Sequence, residues 1–586
     1  MFSLDAYAAR SCPVKTHNAF HPGFVLPTPE EGLREVFHGG VTFQAEVLAA
    51  LRGGFGGSLF DGPELTGEPS AVQEDAALAA MADGVDVLIG PLLPRDLVRH
   101  RSGRPDLLVR GGDGYHPVEI KVHRVCDPRN DDSSLVWSSL ADPARRETLA
   151  GYRFRHTWRM NDLLQLAHYL RMLQAIGRAP SEPWAAVVGT DELPGLGRVL
   201  SWVDLSAPVL QPSPRTLLEE PGTVPPGASG GVRSTASAAV APGGSGPGQP
   251  GGSGPVSALE RYDTEHAFRV EVALAASALG ADDPPALLPI ANRECGWCQW
   301  WDVCRPQLDD DDLSLRISKS PLDVYEISVL RDLGVSTVAE LAARDLDELL
   351  PDYLPRVTHR VGAEERLRLA WRRSILMARG VDFDRVTEGA IEVPGAPVEI
   401  DLDIETSMDD RVYLWGFLVT DSRTGARYYR HFSAFDVLDD SAELRLAARA
   451  LAWLKRLVSG VEARVYHYSD YEVVRLQRLA ARDGADEVLG WATDWVSGHF
   501  VDLFTTIRAN FFGTQGLGLK VVASKAAGFA WRDESPGGLN SQSWFAEAVG
   551  GATEQVRADA RRRVLEYNED DVEATWHVRR WLRSLD

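Results

Sequence analysis

The chain is 586 residues long, more than a single hydrophobic core accommodates, so about two to four domains are expected. Its formal net charge of -23 argues against a generally sticky nucleic-acid coat protein, yet leaves room for an enzyme whose local charge differs from the total. The ordinary apolar fraction of 44%, the lack of an eighteen-residue apolar run and a start (Met-Phe-Ser-Leu-Asp-Ala-Tyr) without a basic, apolar leader argue against membrane insertion and secretion and point to the cytoplasm.

In chain order, Cys12 comes first, far ahead of the next thiol cluster. A helix is expected around Phe43-Gln44-Ala-Glu46-Val-Leu, after Gly39-Gly40. The stretch Arg95 to Arg124 is locally basic. It contains Gly-Arg-Pro-Asp106, then Leu-Leu-Val, a hairpin Arg-Gly-Gly-Asp-Gly-Tyr-His, and the strand Pro-Val-Glu119-Ile-Lys121-Val. Period-two geometry puts Glu119 and Lys121 on one face with Ile120 pointing into the core, and the hairpin brings Asp106 back toward the pair. Phosphodiester hydrolysis needs a divalent ion to polarise the phosphoryl group and lower the pKa of a bound water. A hard ion such as Mg²⁺ takes oxygen ligands and needs only one or two protein carboxylates. Two carboxylates to hold the ion, and an ammonium to orient water or stabilise developing charge, answer that need. Further on, Gln165-Leu-Ala-His-Tyr169 lies on a strongly helical stretch, with Gln165 and Tyr169 four apart on one face. Cys126 reads as a buried thiol rather than a ligand.

Residues from about 221 to 256 are dominated by Gly, Pro, Ser and Ala, too little apolar surface to offset chain ordering, so a disordered loop emerging from within a domain is expected. A helix follows over roughly 258–279. Then comes Cys295-Gly-Trp297-Cys298-Gln-Trp300-Trp301-Asp-Val-Cys304. Three thiols within ten residues of a chain with only five point to metal, not to a disulfide framework. With Cys12, four thiolates hold either zinc or a 4Fe–4S cluster, and the nearby indoles of Trp297, Trp300 and Trp301 would shield it. The acidic run 309–312 marks a boundary. Beyond it a helix, a turn at Gly334 and a Ser/Thr-capped second helix are expected. A basic helix (Arg366, Arg368, Arg372, Arg373, Arg379) follows, suited to phosphate contacts or to pairing with Glu364 and Glu365.

From Val398 the pattern turns to alternating strands and helices, an α/β domain of ribonuclease H size. Asp403 and Glu405 face one side of a strand, and Glu472 follows a strand entering a helix. Tyr567 and Asp571 share a helix face. Four acids around two divalent ions, with a tyrosine positioning the water, make a two-metal hydrolytic arrangement.

The order of a helical acid, Pro-Asp106, Glu119-X-Lys121 and Gln165-X-X-X-Tyr169 resembles the PD-(D/E)XK nucleases of the RecB type. The resemblance makes Asp106 and Glu119 ligands for Mg²⁺ or Mn²⁺, Lys121 the catalytic lysine, and Gln165 and Tyr169 supports for substrate or site. For the first motif it favours Glu46 as a metal ligand, with His38 and Gln44 as rivals. The split layout Cys12/Cys295/Cys298/Cys304 resembles the 4Fe–4S clusters of AddB and of RecB-like CRISPR-associated exonucleases, where the cluster clamps the ends of the nuclease domain; zinc is the alternative. The segment 313–380 is similar to a helix–hairpin–helix DNA-binding module without the usual Gly-X-Gly. Residues 398–586 resemble DnaQ-like 3′–5′ exonucleases of the ribonuclease H fold in their tyrosine-bearing (DEDDy) form. That implies Asp403, Glu405, Glu472 and Asp571 as metal ligands and Tyr567 as the water-positioning group. The departure lies at Glu472, where relatives usually carry Asp; Asp470 is nearby and Asp502 further on.

The expected architecture is therefore α/β and multidomain. It has a PD-(D/E)XK core with an iron–sulfur staple at 1–308, a small helical segment at 313–380 and an RNase H-like domain at 396–586. The expected function is metal-dependent hydrolysis of single-stranded or end-bearing DNA, an exodeoxyribonuclease of repair, recombination or defence. No G-X-X-X-X-G-K-[ST] loop is present, so unwinding would fall to a separate helicase. Two alternatives stay open: an RNA-processing 3′–5′ exonuclease acting through the C-terminal domain, and a nucleic-acid-binding scaffold with a degenerate second site.

Overall fold

The computed structural model describes residues 2–27, 31–213, 254–317, 322–408, 410–482, 484–534 and 537–585, the side chains of 31–41 and 539 excepted. The expected 221–256 loop lies outside the described residues up to 253, as does the His38 side chain. The chain is mixed α/β and divides into two compact units. One comprises Met1–Arg316, Leu322–Thr337 and Asp345–Arg366; the other comprises Ile317–Pro321, Val338–Arg344 and Leu367–Asp586. Residues 313–380 are thus shared between them. Among the described residues no helix is long and apolar enough to cross a membrane.

The first unit is built on an eight-stranded mixed sheet. Its strands are β1 (Leu59–Asp61), β2 (Val87–Ile89), β3 (Leu107–Arg110), β4 (Tyr115–Ile120), β5 (Ser134–Ser139), β6 (Glu147–Ala150), β7 (Trp184–Leu193) and β8 (Gly197–Asp204), in the order β1-β2-β3-β4-β7-β8-β5-β6. Central β4 runs antiparallel to β3 and parallel to β7, with Glu119 paired to Val187. The helices that matter are α1 (Pro13–Phe20), α2 (Glu31–Gly54), α3 (Met160–Ala175) and α4 (Ala258–Ser277). Strand alternation sorts the two faces. Val118 and Ile120 bury with Phe43, Val47, Leu48 and Leu51 of α2, while Val187 packs with Leu163, Leu166 and Leu170 of α3. Glu119 lies between Val118 and Ile120 and so points toward α3. A Ser257/Glu260 capping box starts α4, and its Arg269 donates to the Ser11 carbonyl at 2.7 Å, joining distant parts of the chain.

Gly334 sits in the left-handed region (φ 76°) just past the helix Val324–Asp332, and the Val335 N–H returns to the Leu330 carbonyl at 2.8 Å. It is a helix-terminating glycine. On the basic helix, Arg366 makes two bonds (3.0 and 2.6 Å) to buried Glu326, Arg372 pairs with Asp384 at 2.6 Å, and Arg373 is buried. Arg366 and Arg373 are thus part of the packed structure, and Arg372 makes a surface ion pair.

The second unit has a five-stranded sheet of β9 (Val398–Thr406), β10 (Val412–Asp421), β11 (Ala426–Ser433), β12 (Ala463–His467) and β13 (Phe500–Asp502), in the order β11-β10-β9-β12-β13. Strand β9 is antiparallel to β10 and parallel to β12. Its residues Val398, Ile400, Leu402 and Ile404 pack with Leu446, Ala450, Leu451 and Leu454 of α5 (Asp440–Leu457). The alternate set is acidic: Glu399, Asp401, Asp403 and Glu405. Four more helices meet that face or flank it: α6 (Tyr471–Ala480), α7 (Leu519–Lys525), α8 (Gly538–Gly550) and the long α9 (Glu554–Arg583). Arg579 of α9 is fully buried, donates to both Asp401 oxygens at 3.1 and 2.8 Å and also pairs with Glu399. Two of the four acids are thereby neutralised, and Asp403 and Glu405 are left for other work.

Candidate metal centres

In the first unit, Asp106 precedes β3. Its Oδ2 accepts from the Ile120 N–H at 2.7 Å and its Oδ1 from the Gln44 amide at 2.7 Å. Lys121 Nζ donates to Glu119 Oε2 at 2.8 Å and to Gln165 Oε1 at 2.9 Å. The Gln165 amide reaches Tyr169 Oη at 3.4 Å, and that hydroxyl donates to the Arg104 carbonyl at 3.1 Å. Asp106, Glu119, Lys121, Gln165 and Tyr169 therefore gather at one place. Glu46 does not join them. It is exposed on α2, while its rival Gln44 touches Asp106. The reason is helical phase: Gln44 is four residues from buried Leu48, and Glu46 lies about 200° around the helix from Gln44.

Glu119 is buried, and its Oε1 has no hydrogen-bond partner among the described residues. Burial first, and the Asp106 charge second, push it up to about 8 against the pull of Lys121. Burial alone would lower Lys121, but the Glu119 carboxylate outweighs it and holds the ammonium above its usual range. A buried carboxylate oxygen without a donor, beside a second carboxylate, fits a hard cation.

Cys12, Cys295, Cys298 and Cys304 line one small cavity together with Trp300 and Trp301. Trp297 is 57% exposed and is not part of the lining, which corrects its expected shielding role. Trp300, the N-cap of the helical turn Trp301–Cys304, is buried, and Trp297 ends the preceding turn on the solvent side. The Asn18 amide donates to Cys304 Sγ at 3.4 Å and the Asn292 N–H to Cys295 Sγ at 3.4 Å. Burial raises the Cys12 and Cys295 thiols and pushes Cys304 up to about 12. Cys126 packs elsewhere, among Val125, Leu163 and Leu166, as a buried thiol.

In the second unit, Asp403, Glu405 and Asp571 bring one oxygen each within 4.8 Å of one another. Each carboxylate has a side-chain donor, and Asp571 also has a side-chain hydrogen bond to Tyr567. The Asn568 amide donates to Asp403 at 2.6 Å, the Ser541 hydroxyl to Glu405 at 2.7 Å and the Trp531 indole to Asp571 at 2.7 Å. Tyr429 donates to the Asn568 carbonyl oxygen at 2.7 Å, and Tyr413 and Ser541 share a 2.8 Å hydroxyl contact. Tyr567 lies one residue before Asn568, and its hydroxyl accepts from Lys520 Nζ at 2.7 Å. Across the strand pair from Asp403 is Gly416, where a Cβ would fall 1.8 Å from Asn568 Oδ1, so only glycine leaves room for that amide. Burial, then repulsion from Asp571, Glu405 and Glu472, raises Asp403. Burial and the Asp571 charge push Glu405 up to about 8, and burial pushes Asp571 up to about 6.

Glu472 is buried at the start of α6, outside the close trio, and its charge acts on Asp403 and Glu405. Its Oε2 is 3.6 Å from His467 Nδ1 and has no hydrogen-bond partner among the described residues. Asp502 caps the helix Leu503–Asn510 and accepts from the Ser469 and Phe504 N–H groups; Asp470 sits at the N-cap of α6. Neither reaches the trio. Asn568, Ser541, Trp531 and Lys520 were not singled out from the sequence.

Residues 401–583 match the family model RNase_H_2, described as the RNase_H superfamily. The matched span holds Asp403, Glu405, Glu472, Tyr567 and Asp571. No curated protein and no solved structure matched the chain. The C-terminal part is an RNase H-like domain. Such a fold with clustered carboxylates is typically that of a metal-dependent nuclease, which acts on nucleic acid.

Proposed function

We propose that this protein is a metal-dependent exodeoxyribonuclease that acts on single-stranded or end-bearing DNA in repair, recombination or defence. The observation that carries the reading is the close trio Asp403, Glu405 and Asp571 within an RNase H-like domain. These three would hold Mg²⁺ or Mn²⁺, which polarises a phosphoryl group and acidifies a bound water. Tyr567, on the same helix as Asp571, positions the water.

A second nuclease centre of PD-(D/E)XK type is proposed for residues 1–308, with Asp106 and Glu119 as ligands, Lys121 as the charged catalytic group, and Gln165 and Tyr169 as supports. The convergence of these side chains and the donorless Glu119 Oε1 support it. Gln44 takes the place given to Glu46. For the four cysteines a 4Fe–4S staple is proposed. They line one cavity, and two of the sulfurs accept N–H bonds.

A second reading, RNA processing by the C-terminal centre alone, is favoured by the confinement of the family match to 401–583. End-labelled single- and double-stranded DNA and RNA, incubated with Mg²⁺, Mn²⁺ or chelator, separate the two. DNA degradation that falls in both Asp106→Ala and Asp403→Ala fits the first reading. RNA degradation lost only in Asp403→Ala moves the assignment to the second, and binding without cleavage leaves a scaffold.

A further inference from the structure

We infer that the first centre takes nucleic acid as a single strand, with a phosphate held by Arg10 and an unpaired base stacked on Trp158. The inference rests on the nuclease reading of that centre. Arg10 ends a short 3₁₀ turn, Ala8–Arg10, before which Asp5 Oδ1 accepts from the Tyr7 and Ala8 N–H groups at 2.9 and 3.2 Å. Ala9 packs with Leu163 and Leu166 of α3, and the next carbonyl, that of Ser11, is the one held by Arg269. The Arg10 side chain is only 12% exposed. Its guanidinium carbon lies 3.8 Å from the Tyr7 ring centroid, and its Nη1 is 4.0 Å from Asp162. It makes no hydrogen bond among the described residues, although a guanidinium carries five N–H donors. Asp162 is already engaged by His123 at 2.8 Å. The Arg10 charge acts on both Lys121 and Tyr169, so it stands beside the centre.

A largely buried cation with unengaged donors calls for an acceptor, and a phosphate takes the planar fork at two oxygens. Trp158 tells which form of nucleic acid fits. It is 76% exposed and lies two residues ahead of α3, the helix that carries Asp162, Gln165 and Tyr169. A single exposed apolar side chain is ordinary, but this one lies among arginines. The Arg155 guanidinium is 5.8 Å from its ring centroid, and Arg159, next in the chain, donates to the Arg124 carbonyl at 2.6 Å. Arg155 and Arg124 pair with Asp127 at 3.1 Å and Asp191 at 3.2 Å, whereas Arg159 makes no ion pair among the described residues. In a chain of net charge -23, cations interleaved with an open aromatic face have the chemistry that holds a single strand. The charges follow the backbone, and a base stacks on the indole whatever its identity. A base inside a duplex has no free face to offer.

Site-resolved crosslinking tests it, because the C-terminal domain cannot then obscure the result. Full-length protein, with Ca²⁺ in place of Mg²⁺, is irradiated with a DNA strand carrying 5-iododeoxyuridine or with the same strand in a blunt duplex, and the crosslinked residue is identified by peptide mass spectrometry. A crosslink at Trp158 is expected with the single strand and not with the duplex. Arg10→Gln should raise the strand concentration that half-saturates this crosslink about 10- to 100-fold. It should also reduce the slope of log affinity against log salt by about 0.7, the share of one phosphate contact on a single strand, while Arg10→Lys keeps the slope. No crosslink at Trp158, or an equal one with duplex, overturns the inference. Affinity and slope that ignore Arg10→Gln overturn the phosphate role of Arg10, as does a loss of affinity at unchanged slope, which a merely structural residue would give. A Trp158 crosslink in protein whose Asp403→Asn variant cleaves nothing with Mg²⁺ or Mn²⁺ keeps the strand site and defeats the nuclease reading of the first centre.

Discussion

Replacing Gly416 by alanine probes how the sheet positions Asp403. The new Cβ would lie 1.8 Å from Asn568 Oδ1, and Cβ contacts under 3.0 Å are essentially never seen, so the amide must withdraw by about 1.2 Å. Asn568 is held 2.6 Å from Asp403 and 2.7 Å from Tyr429, and a bond stretched that far is no longer one. Overpacking costs about 1–3 kcal/mol. Losing a hydrogen bond to a charged partner costs about 1.5–3 kcal/mol more. A destabilisation of about 2.5–6 kcal/mol is therefore expected in urea denaturation. Because a misplacement of about 1 Å can cost about 100-fold in rate, cleavage should fall by that order. The control is Asn568→Ala. In that background the obstacle is gone, and Gly416→Ala should add less than about 1 kcal/mol. An equal cost with and without Asn568 would refute the steric argument.

Arg579→Met leaves Asp401 buried without its partner and should cost about 3–5 kcal/mol in the same denaturation assay, part of it recovered in Asp401→Asn/Arg579→Met; an effect under about 1 kcal/mol contradicts the pairing. Glu405 and Asp571 sit at about 8 and about 6, above their ordinary values of 4.5 and 3.8. Raised carboxylates stabilise the metal-free fold below about pH 4, and the effect is lost as pH rises through about 6 to 8. The calorimetric midpoint of the metal-free C-terminal unit should thus fall between about pH 5 and 9 and recover with Mn²⁺ at the alkaline end, because ligands bind metal deprotonated; a midpoint that rises with pH without metal contradicts this. Cys304→Ser should abolish the visible absorbance of protein purified without air and lower the midpoint of the first unit, since the staple closes a long loop. A colourless, zinc-replete wild type would overturn the iron–sulfur assignment.

Much of the C-terminal centre was legible because short-range periodicity carries it. Asp403 and Glu405 share a strand face by the period of two, and Tyr567 and Asp571 share a helix face by the spacing of four. The same alternation places Glu399 and Asp401 beside them, and only the position of Arg579, far along the chain, tells which pair is already neutralised. Asn568, Ser541, Trp531 and Lys520 come from separate helices and loops whose approach depends on tertiary packing, so no local pattern announces them. Glycine at 416 was a signal in hindsight: a lone glycine inside an apolar strand marks a close approach. At the first motif helical phase, not acidity, selects the residue near Asp106. Phe43, Val47, Leu48 and Leu51 set the inward face of α2, Gln44 lies beside it, and Glu46 is exposed. In the middle segment the arginines looked available for phosphate because their partners, Glu326 and Asp384, are distant in sequence.

The central claim is that Asp403, Glu405 and Asp571 together hold a divalent cation. Anomalous diffraction from crystals grown with Mn²⁺ tests it most directly. A peak among the three carboxylates, absent in Asp571→Asn, is the predicted result. A clear map with no peak there, in crystals whose protein still cleaves nucleic acid with Mn²⁺, would contradict it.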